Sequence, residues 1–238
     1  MKKIFFVFGL IVLIAKAVFA QVDTLMTNAG LDGQKIMLVF EKGKEHNHPL
    51  MAVWIEDLDS NYVETLYVAK SIGTSVFNYG DKSSGQWKPG VIRRPAALPY
   101  WVHKRGIEAE DGLYLPSVYH PVADAITGPT PKSDFVLLAG TEKELPEKFR
   151  VLFEINQSWD WNEYWSNTKF PDEPEYRASS QPSIIYEAVI DMNDGTNEYF
   201  MEAIGHGHYS GKDGQLYTDL STLTTAKEIA GRIVLVLE

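Results

Sequence analysis

Apolar and polar residues alternate with a period of two along much of the chain, which is the pattern of strands that bury one face. Residues 51–56 and 62–68 are rich in β-branched and aromatic side chains, and an Asp- and Asn-containing stretch at residues 57–61 separates them. This arrangement predicts a β-hairpin. Further strands are predicted at residues 35–41, 135–138, 149–156, 183–191, 199–204 and 233–237.

Turn signals and weak helical periodicity complete the prediction of fold class. The pair Asp194-Gly195 lies between two predicted strands and indicates a second hairpin. The best helix candidate is short, at residues 221–230, where Gly231 provides a stop signal. Many short strands without alternating helices predict an all-β fold, an immunoglobulin-like antiparallel β-sandwich of about seven strands. We expect long loop insertions and at most short helices.

Two long stretches do not read as strands. Residues 80–112 combine several prolines and two tryptophans with basic pairs, and residues 158–181 combine three tryptophans with prolines. Long connections of this kind are often the segments that carry function. We therefore expect both stretches to leave the core of the sandwich as insertions.

The beginning of the chain has the features of a secretory signal peptide. Two lysines near the start precede a short apolar run at residues 4–14, and a small-residue cleavage site ends at Ala20. No later apolar stretch is long enough to predict a transmembrane helix. We expect residues 1–20 to be removed, leaving one domain at residues 21–238 that is soluble and periplasmic or secreted.

Composition narrows the chemistry that this chain can perform. It contains no cysteine, which excludes disulfides, thiol catalysis and thiolate-bound zinc or iron–sulfur clusters. The formal net charge is −10, and it becomes −13 once Lys2, Lys3 and Lys16 are removed with the signal peptide. A surface of this sign repels phosphate backbones, so we expect no nucleic-acid partner.

Two His-X-His motifs suggest a metal site. Residues two apart in a strand face the same side, so each pair of imidazoles can point toward one ion. If the two motifs converge, they predict a site for a divalent transition metal such as zinc, copper or iron. The alternative is a polar loop and the end of a strand. The candidate ligands are His46, His48, His206, His208, Asp213 and Asp219.

The Trp-rich segment offers a second kind of site. Trp159, Trp161 and Trp165 lie in a polar stretch beside carboxylates and amides. Exposed aromatic faces next to such groups suit a glycan, because sugar C–H faces stack on rings while hydroxyls form hydrogen bonds. The alternative is a loop that folds back and covers an open end of the sandwich.

The sequence contains no strong catalytic signature. It lacks a nucleophile elbow, an HExxH motif and a phosphate-binding loop. We therefore expect a non-catalytic binding or accessory module, with a protein partner or a glycan as its ligand. The alternatives are a metal-binding protein or metalloenzyme and a glycan-binding module.

Three short motifs resemble a family of predicted periplasmic proteins catalogued as domain of unknown function 2271. They are AVWIED at residues 52–57, TLYV at residues 65–68 and DAITGPT at residues 124–130. The resemblance covers about residues 51–156 and implies an immunoglobulin-like sandwich in an exported protein. After Gly140 this chain has a shorter segment than many relatives. The family carries no assigned activity, so the resemblance implies no mechanism.

Overall fold

The computed structural model describes residues 22–28, 30–31 and 33–237. The predicted signal peptide, residues 1–20, lies outside the described residues. Within the part of the chain that is described, no helix has the length and apolar character needed to cross a bilayer.

The described residues form two main sheets and a small ribbon. The first sheet has the spatial order β1 (Asp23–Thr27), β8 (Phe135–Gly140), β2 (Lys35–Lys42), β13 (Ala230–Leu237) and β11 (Glu198–Phe200). The second has the order β12 (Glu202–His206), β10 (Ile184–Asp191), β9 (Lys148–Asn156), β3 (Leu50–Glu56), β4 (Tyr62–Ala69) and β7 (Thr127–Gly128). The ribbon pairs β5 (Val76–Asp81) with β6 (Lys88–Val91). Pairing is antiparallel except between β1 and β8 and between β4 and β7.

The main core lies between the two large sheets. Alternate residues of β2, among them Leu38 and Phe40, are buried against residues of β3 and β9 such as Val53 and Phe153. Because successive strand residues point to opposite faces, the same alternation leaves Trp54 and Leu152 on the outer face of the second sheet. The sandwich therefore needs a cover on that face.

A short helix supplies part of that cover. Helix α2 (Pro99–Arg105) belongs to the first long insertion, and its Trp101 is buried in a second apolar cluster with Trp54 and Leu152. Pro99 occupies the first turn, where a missing N–H costs nothing, and Gly106 ends the helix with a left-handed φ of 67°. The insertion thus packs on the sheet as a second layer.

The other helical segments are short. Helix α1 (Lys70–Thr74) follows β4, and helix α3 (Pro174–Ser179) lies in the second long insertion. Single 3₁₀ turns occur at Asp124–Ile126 and Thr225–Glu228. The predicted all-β sandwich with long insertions and short helices is confirmed.

Several details of the prediction are corrected by the structure. The two main sheets contain eleven described strands, more than the seven expected. The predicted strand at residues 199–204 divides at the buried Met201, whose N–H donates to Ile233 of the first sheet, so β11 and β12 join different sheets. The turn at Asp194-Gly195 consequently joins two sheets and is not a hairpin. The predicted helix at residues 221–230 is one 3₁₀ turn, because β13 already begins at Ala230.

Candidate functional site

A cleft of about 420 Å³ lies between the second long insertion and the segment that follows β12. We call it the aromatic cleft. Aromatic rings and two imidazoles dominate its lining, and the hydroxyls of two threonines and one carboxylate, that of Asp219, add polar groups. The residues on which the argument rests are Tyr164, Trp165, His206, His208, Tyr209 and Tyr217.

The position of His206 is fixed by pairing at a sheet edge. β12 pairs with β10, placing His206 opposite Ile184, and the chain then returns so that Tyr217 pairs with His206 on the other side. The two backbones exchange hydrogen bonds of 2.8 and 2.9 Å. As a result, the imidazole of His206 stacks on the Tyr217 ring at a centroid distance of 5.3 Å and an angle of 13°.

Gly207 lies between the two histidines and packs closely against Pro99 and Ser183. Its N–H donates to the Ser183 carbonyl at 3.0 Å. A Cβ atom at this position would lie 2.5 Å from Pro99 Cγ and 2.7 Å from Ser183 Oγ, so only glycine permits this close packing. The residue between the two histidines is therefore set by packing against the start of α2.

A packed aromatic cluster forms another part of the lining, and its Tyr209 stacks on His208 at a centroid distance of 4.4 Å. Phe170 and Tyr209 stack at 4.1 Å with an interplanar angle of 11°. The Trp165 indole N–H donates to Thr222 Oγ1 at 3.1 Å, which ties the insertion to the last loop before β13. Lys169 lies over the Tyr164 ring and donates to the Tyr164 carbonyl at 3.0 Å. These contacts hold the ring faces in place before any ligand arrives.

The two imidazoles in the cleft are neutral at pH 7. Burial lowers the pKa of His206, although its hydrogen bond to Gly207 and the nearby Asp219 carboxylate oppose that shift. Burial also lowers the pKa of His208. Hydrogen bonds from Ser221 lower the pKa of the exposed Asp219 carboxyl, which is therefore ionised. The cleft thus presents hydrogen-bonding groups with little positive charge.

A buried carboxylate, that of Glu154, lies next to Gly207. Glu154 points from β9 toward α2 and is fully buried. It accepts hydrogen bonds from Trp101 N at 2.7 Å, Tyr100 N at 3.2 Å and Ser183 Oγ at 2.5 Å. Burial raises the pKa of this carboxyl to about 7. Glu154 joins the N-terminus of α2 to Ser183, whose carbonyl accepts the Gly207 N–H.

The candidate metal ligands lie in different surroundings. His46 lies between β2 and β3, 5.7 Å from the Phe40 ring, and the exposed His48 contacts the Asn47 side chain at 3.0 Å. Asp213 accepts a hydrogen bond from the Tyr217 hydroxyl at 3.0 Å. It does not line the cleft itself but holds a residue that does. Among the described residues, no group of three or more His, Cys, Asp or Glu side chains is arranged to hold a metal ion.

The ring nitrogens of His208 also bear on the metal hypothesis. Its Nδ1 accepts the backbone N–H of Ser210 at 3.1 Å, so a neutral His208 carries its proton on Nε2. A histidine that binds metal usually donates from the nitrogen that is not bound, and here that nitrogen accepts. The geometry disfavours His208 as a ligand.

The three candidate tryptophans differ in how much of each side chain is exposed to solvent. Trp159 and Trp161 are 62 % and 45 % exposed, whereas Trp165 is only 6 % exposed and joins the main core. The predicted ligand surface therefore has two exposed members, and the third anchors the wall of the aromatic cleft. Whether Trp159 and Trp161 bind a glycan stays a prediction.

Sequence reasoning did not identify Tyr209, Tyr217 and Phe170 as members of the site. Tyr209 directly follows the second His-X-His motif, and this adjacency was an available signal. Tyr217 and Phe170 gave no local signal, because their contacts depend on how the two loops fold together. Glu154, a lone acid within an apolar strand, was also an available signal.

Comparison with known proteins provides no assignment for this site. No protein-family model matches the chain, and no curated protein matches it significantly.

Proposed function

We propose that this protein is an exported, non-catalytic binding module and that the aromatic cleft is its ligand site. The observation that carries the proposal is the cleft itself, in which fixed aromatic rings and two neutral imidazoles surround a volume of about 420 Å³. Ligand sites are commonly concave and mostly apolar, with a few oriented polar groups. The expected ligand is a small neutral molecule with a flat apolar face.

Two further observations support a neutral ligand. The Lys169 ammonium lies over the rings of Tyr164 and Trp165, so its charge interacts with these two rings. Asp219 lines the cleft and would repel an anion. The net negative charge of the chain acts in the same direction.

We also propose that the chain is exported and related to the family named domain of unknown function 2271. The support is the basic start and apolar run of residues 1–20 and the three motifs between residues 52 and 130. The antiparallel sandwich described above is compatible with the fold which that resemblance implies.

A thermal-shift screen with a library of small neutral compounds tests the binding function. Tyr164→Ala removes a half-exposed ring from the cleft at little cost to the core, and Trp161→Ala removes an exposed ring outside it. We expect ligands that stabilise the wild type and Trp161→Ala but stabilise Tyr164→Ala less. A library without hits, or hits that both variants retain equally, would contradict the proposal.

Metal binding is a second candidate function, and the observation that favours it is the Nε2 atom of His206. His206 Nδ1 lies 2.7 Å from the Gly207 carbonyl, which leaves Nε2 with a free lone pair, as in many metal-binding histidines. Titration of chelator-treated protein with zinc, copper and iron tests this candidate. Saturable binding that His206→Ala abolishes would support it, and binding weaker than about micromolar would end it.

A further inference from the structure

We infer that the aromatic cleft recognises a neutral saccharide, with His206 accepting a hydrogen bond from one hydroxyl and His208 donating to another. This inference rests on the proposed binding function and adds the class of ligand. It follows from the opposite hydrogen bonds that the two imidazoles make with the backbone.

His206 is the acceptor of the pair. Its Nδ1 lies 2.7 Å from the Gly207 carbonyl oxygen. A carbonyl oxygen only accepts, so Nδ1 must carry the proton, and Nε2 of the neutral ring then holds a lone pair. Nε2 has no hydrogen-bond partner among the described residues and is not fully buried, and His206 lines the cleft.

His208 is the donor of the pair. Its Nδ1 accepts the Ser210 N–H at 3.1 Å, and the Lys212 N–H lies at 3.4 Å from the same nitrogen. Two donors aimed at Nδ1 fix the lone pair there, which places the proton of the neutral ring on Nε2. Within the described part of the chain that N–H also has no acceptor, and it keeps some solvent-accessible surface.

Burial keeps this pattern of neutral rings at neutral pH against the charged groups around them. Asp219 acts on His206, while Asp213, Lys212, Glu173 and His103 act on His208 with opposing signs. Burial outweighs them and lowers the pKa of both rings. Protonation at lower pH would turn His206 from an acceptor into a donor.

A saccharide matches the remaining features of the cleft. Each sugar hydroxyl both donates and accepts, so neighbouring hydroxyls can satisfy an acceptor and a donor side by side. The apolar face of a sugar ring stacks on aromatic rings. Tyr164 contributes such a ring to the lining and is 53 % exposed, although Lys169 covers one of its faces. An anion would meet Asp219 without a free cation beside it, since Lys169 is held over the Tyr164 ring.

Nuclear magnetic resonance of the ring nitrogens tests the first step without any ligand. Long-range proton–nitrogen spectra at about pH 7.5, above the ordinary histidine pKa of about 6.5, distinguish protonated from bare nitrogens. We expect a bare Nε2 in His206 and a bare Nδ1 in His208, assigned with single His→Gln variants. The same tautomer in both rings would overturn the inference.

Calorimetric titration with neutral oligosaccharides of glucose, galactose, mannose and N-acetylglucosamine tests the second step. We expect at least one to bind, and His206→Phe and His208→Phe each to weaken it about tenfold, as expected for one lost hydrogen bond. Wild-type affinity should fall between about pH 7 and about pH 5. His206→Gln, whose amide oxygen replaces Nε2 as a non-titrating acceptor, should bind with a flatter pH profile.

The outcomes separate this inference from the proposed function. If other neutral compounds bind in a Tyr164-dependent manner and no saccharide does, the inference fails and the binding module stands. If nothing binds, both fail. If a saccharide binds but only Trp161→Ala weakens it, the exposed tryptophans are the site and the inference is overturned. Thermal unfolding of each variant confirms that it is folded.

Discussion

At the scale of single residues, the segment from His206 to His208 shows how packing selects chemistry. The two histidines are equivalent in the sequence, yet one donates from Nδ1 to a carbonyl and the other accepts at Nδ1 from backbone N–H groups. Gly207 makes this possible, because its close packing against Pro99 and Ser183 orients both backbones. The neighbouring residues therefore determine which ring nitrogen of each histidine carries the proton.

Replacing Gly207 with alanine tests this packing. The new Cβ would lie 2.5 Å from Pro99 Cγ and 3.3 Å from Glu154 Oε1, so the neighbouring groups must move. We expect Gly207→Ala to lower the free energy of unfolding by about 1–3 kcal/mol, as overpacking usually does. Gly30→Ala is the matched control, because no atom lies within 4 Å of its added Cβ. Equal stability of the two variants in urea would contradict the expectation.

Glu154 predicts a specific dependence of stability on pH. Its folded pKa of about 7 lies above the ordinary value of 4.5, so the folded state binds the proton more tightly than the unfolded state. Its contribution to stability is present below about pH 4.5 and is lost as pH rises to about 7, by up to about 3 kcal/mol.

The variant Glu154→Gln removes this titration and provides the measurement. Its free energy of unfolding should lack the fall that the wild type shows between about pH 4.5 and about pH 7. It should also be less stable than the wild type at about pH 4.5, because an amide N–H₂ then faces the backbone donors of Tyr100 and Trp101. Parallel pH profiles for the two proteins would refute this assignment.

At the scale of elements, the two long insertions have different tasks. The first covers the outer face of the second sheet through α2, whose Trp101 donates from its indole N–H to Thr65 at 2.9 Å. The second builds a wall of the aromatic cleft around Trp165. The sandwich is the scaffold, and the insertions complete both its core and its candidate site.

The alternating strands were predictable because each carries its own pattern. The hairpin of β3 and β4 is one example, since its polar turn separates two apolar runs. The period of two did not show that β3 is buried on both faces, because α2 covers its outer face. The aromatic cleft was not predictable in the same way. Phe170 and Tyr209 are far apart in sequence and meet after the chain has left the first sheet at Met201 and entered the second sheet as β12. The hydrophobic pattern of a single segment does not show where the chain passes from one sheet to the other.

Removing Trp165 tests its role as the anchor of the second insertion. It is nearly buried among Phe170, Tyr176 and Tyr209. We expect Trp165→Ala to lower the free energy of unfolding by about 3–5 kcal/mol. Trp161→Ala, an exposed neighbour, should change it by no more than about 0.5 kcal/mol. Acrylamide should quench the fluorescence of Trp161 more readily than that of Trp165, and similar losses of stability would contradict this division.

At the scale of the whole molecule, two large sheets enclose the core and no cysteine reinforces them. Packing and hydrogen bonding must therefore stabilise the fold alone. Buried ion pairs add connections between elements, since Glu56 at the end of β3 contacts both Lys104 of α2 and Arg150 of β9. Such a chain does not depend on an oxidising compartment for its stability.

Export is tested by the mass of the mature protein. Expressed with its native beginning, the protein should appear in the periplasm or medium with a mass that begins at Gln21, because the apolar run precedes a small-residue cleavage site. Leu10→Asp interrupts that run and should leave the full-length protein in the cytoplasm. A secreted wild-type protein that retains Met1 would contradict the prediction.

The place of β13 in the first sheet has a consequence for the timing of folding. This strand pairs with β2 on one side and β11 on the other, and Arg232 contacts Glu41 across 191 residues of sequence. During synthesis, β2 and β11 lack their shared neighbour until β13 has left the ribosome. Pairing across so long an interval is slow. Late pairing of β13 would keep the chain unfolded for longer, and the export proposed above requires an unfolded chain that can pass through a membrane channel.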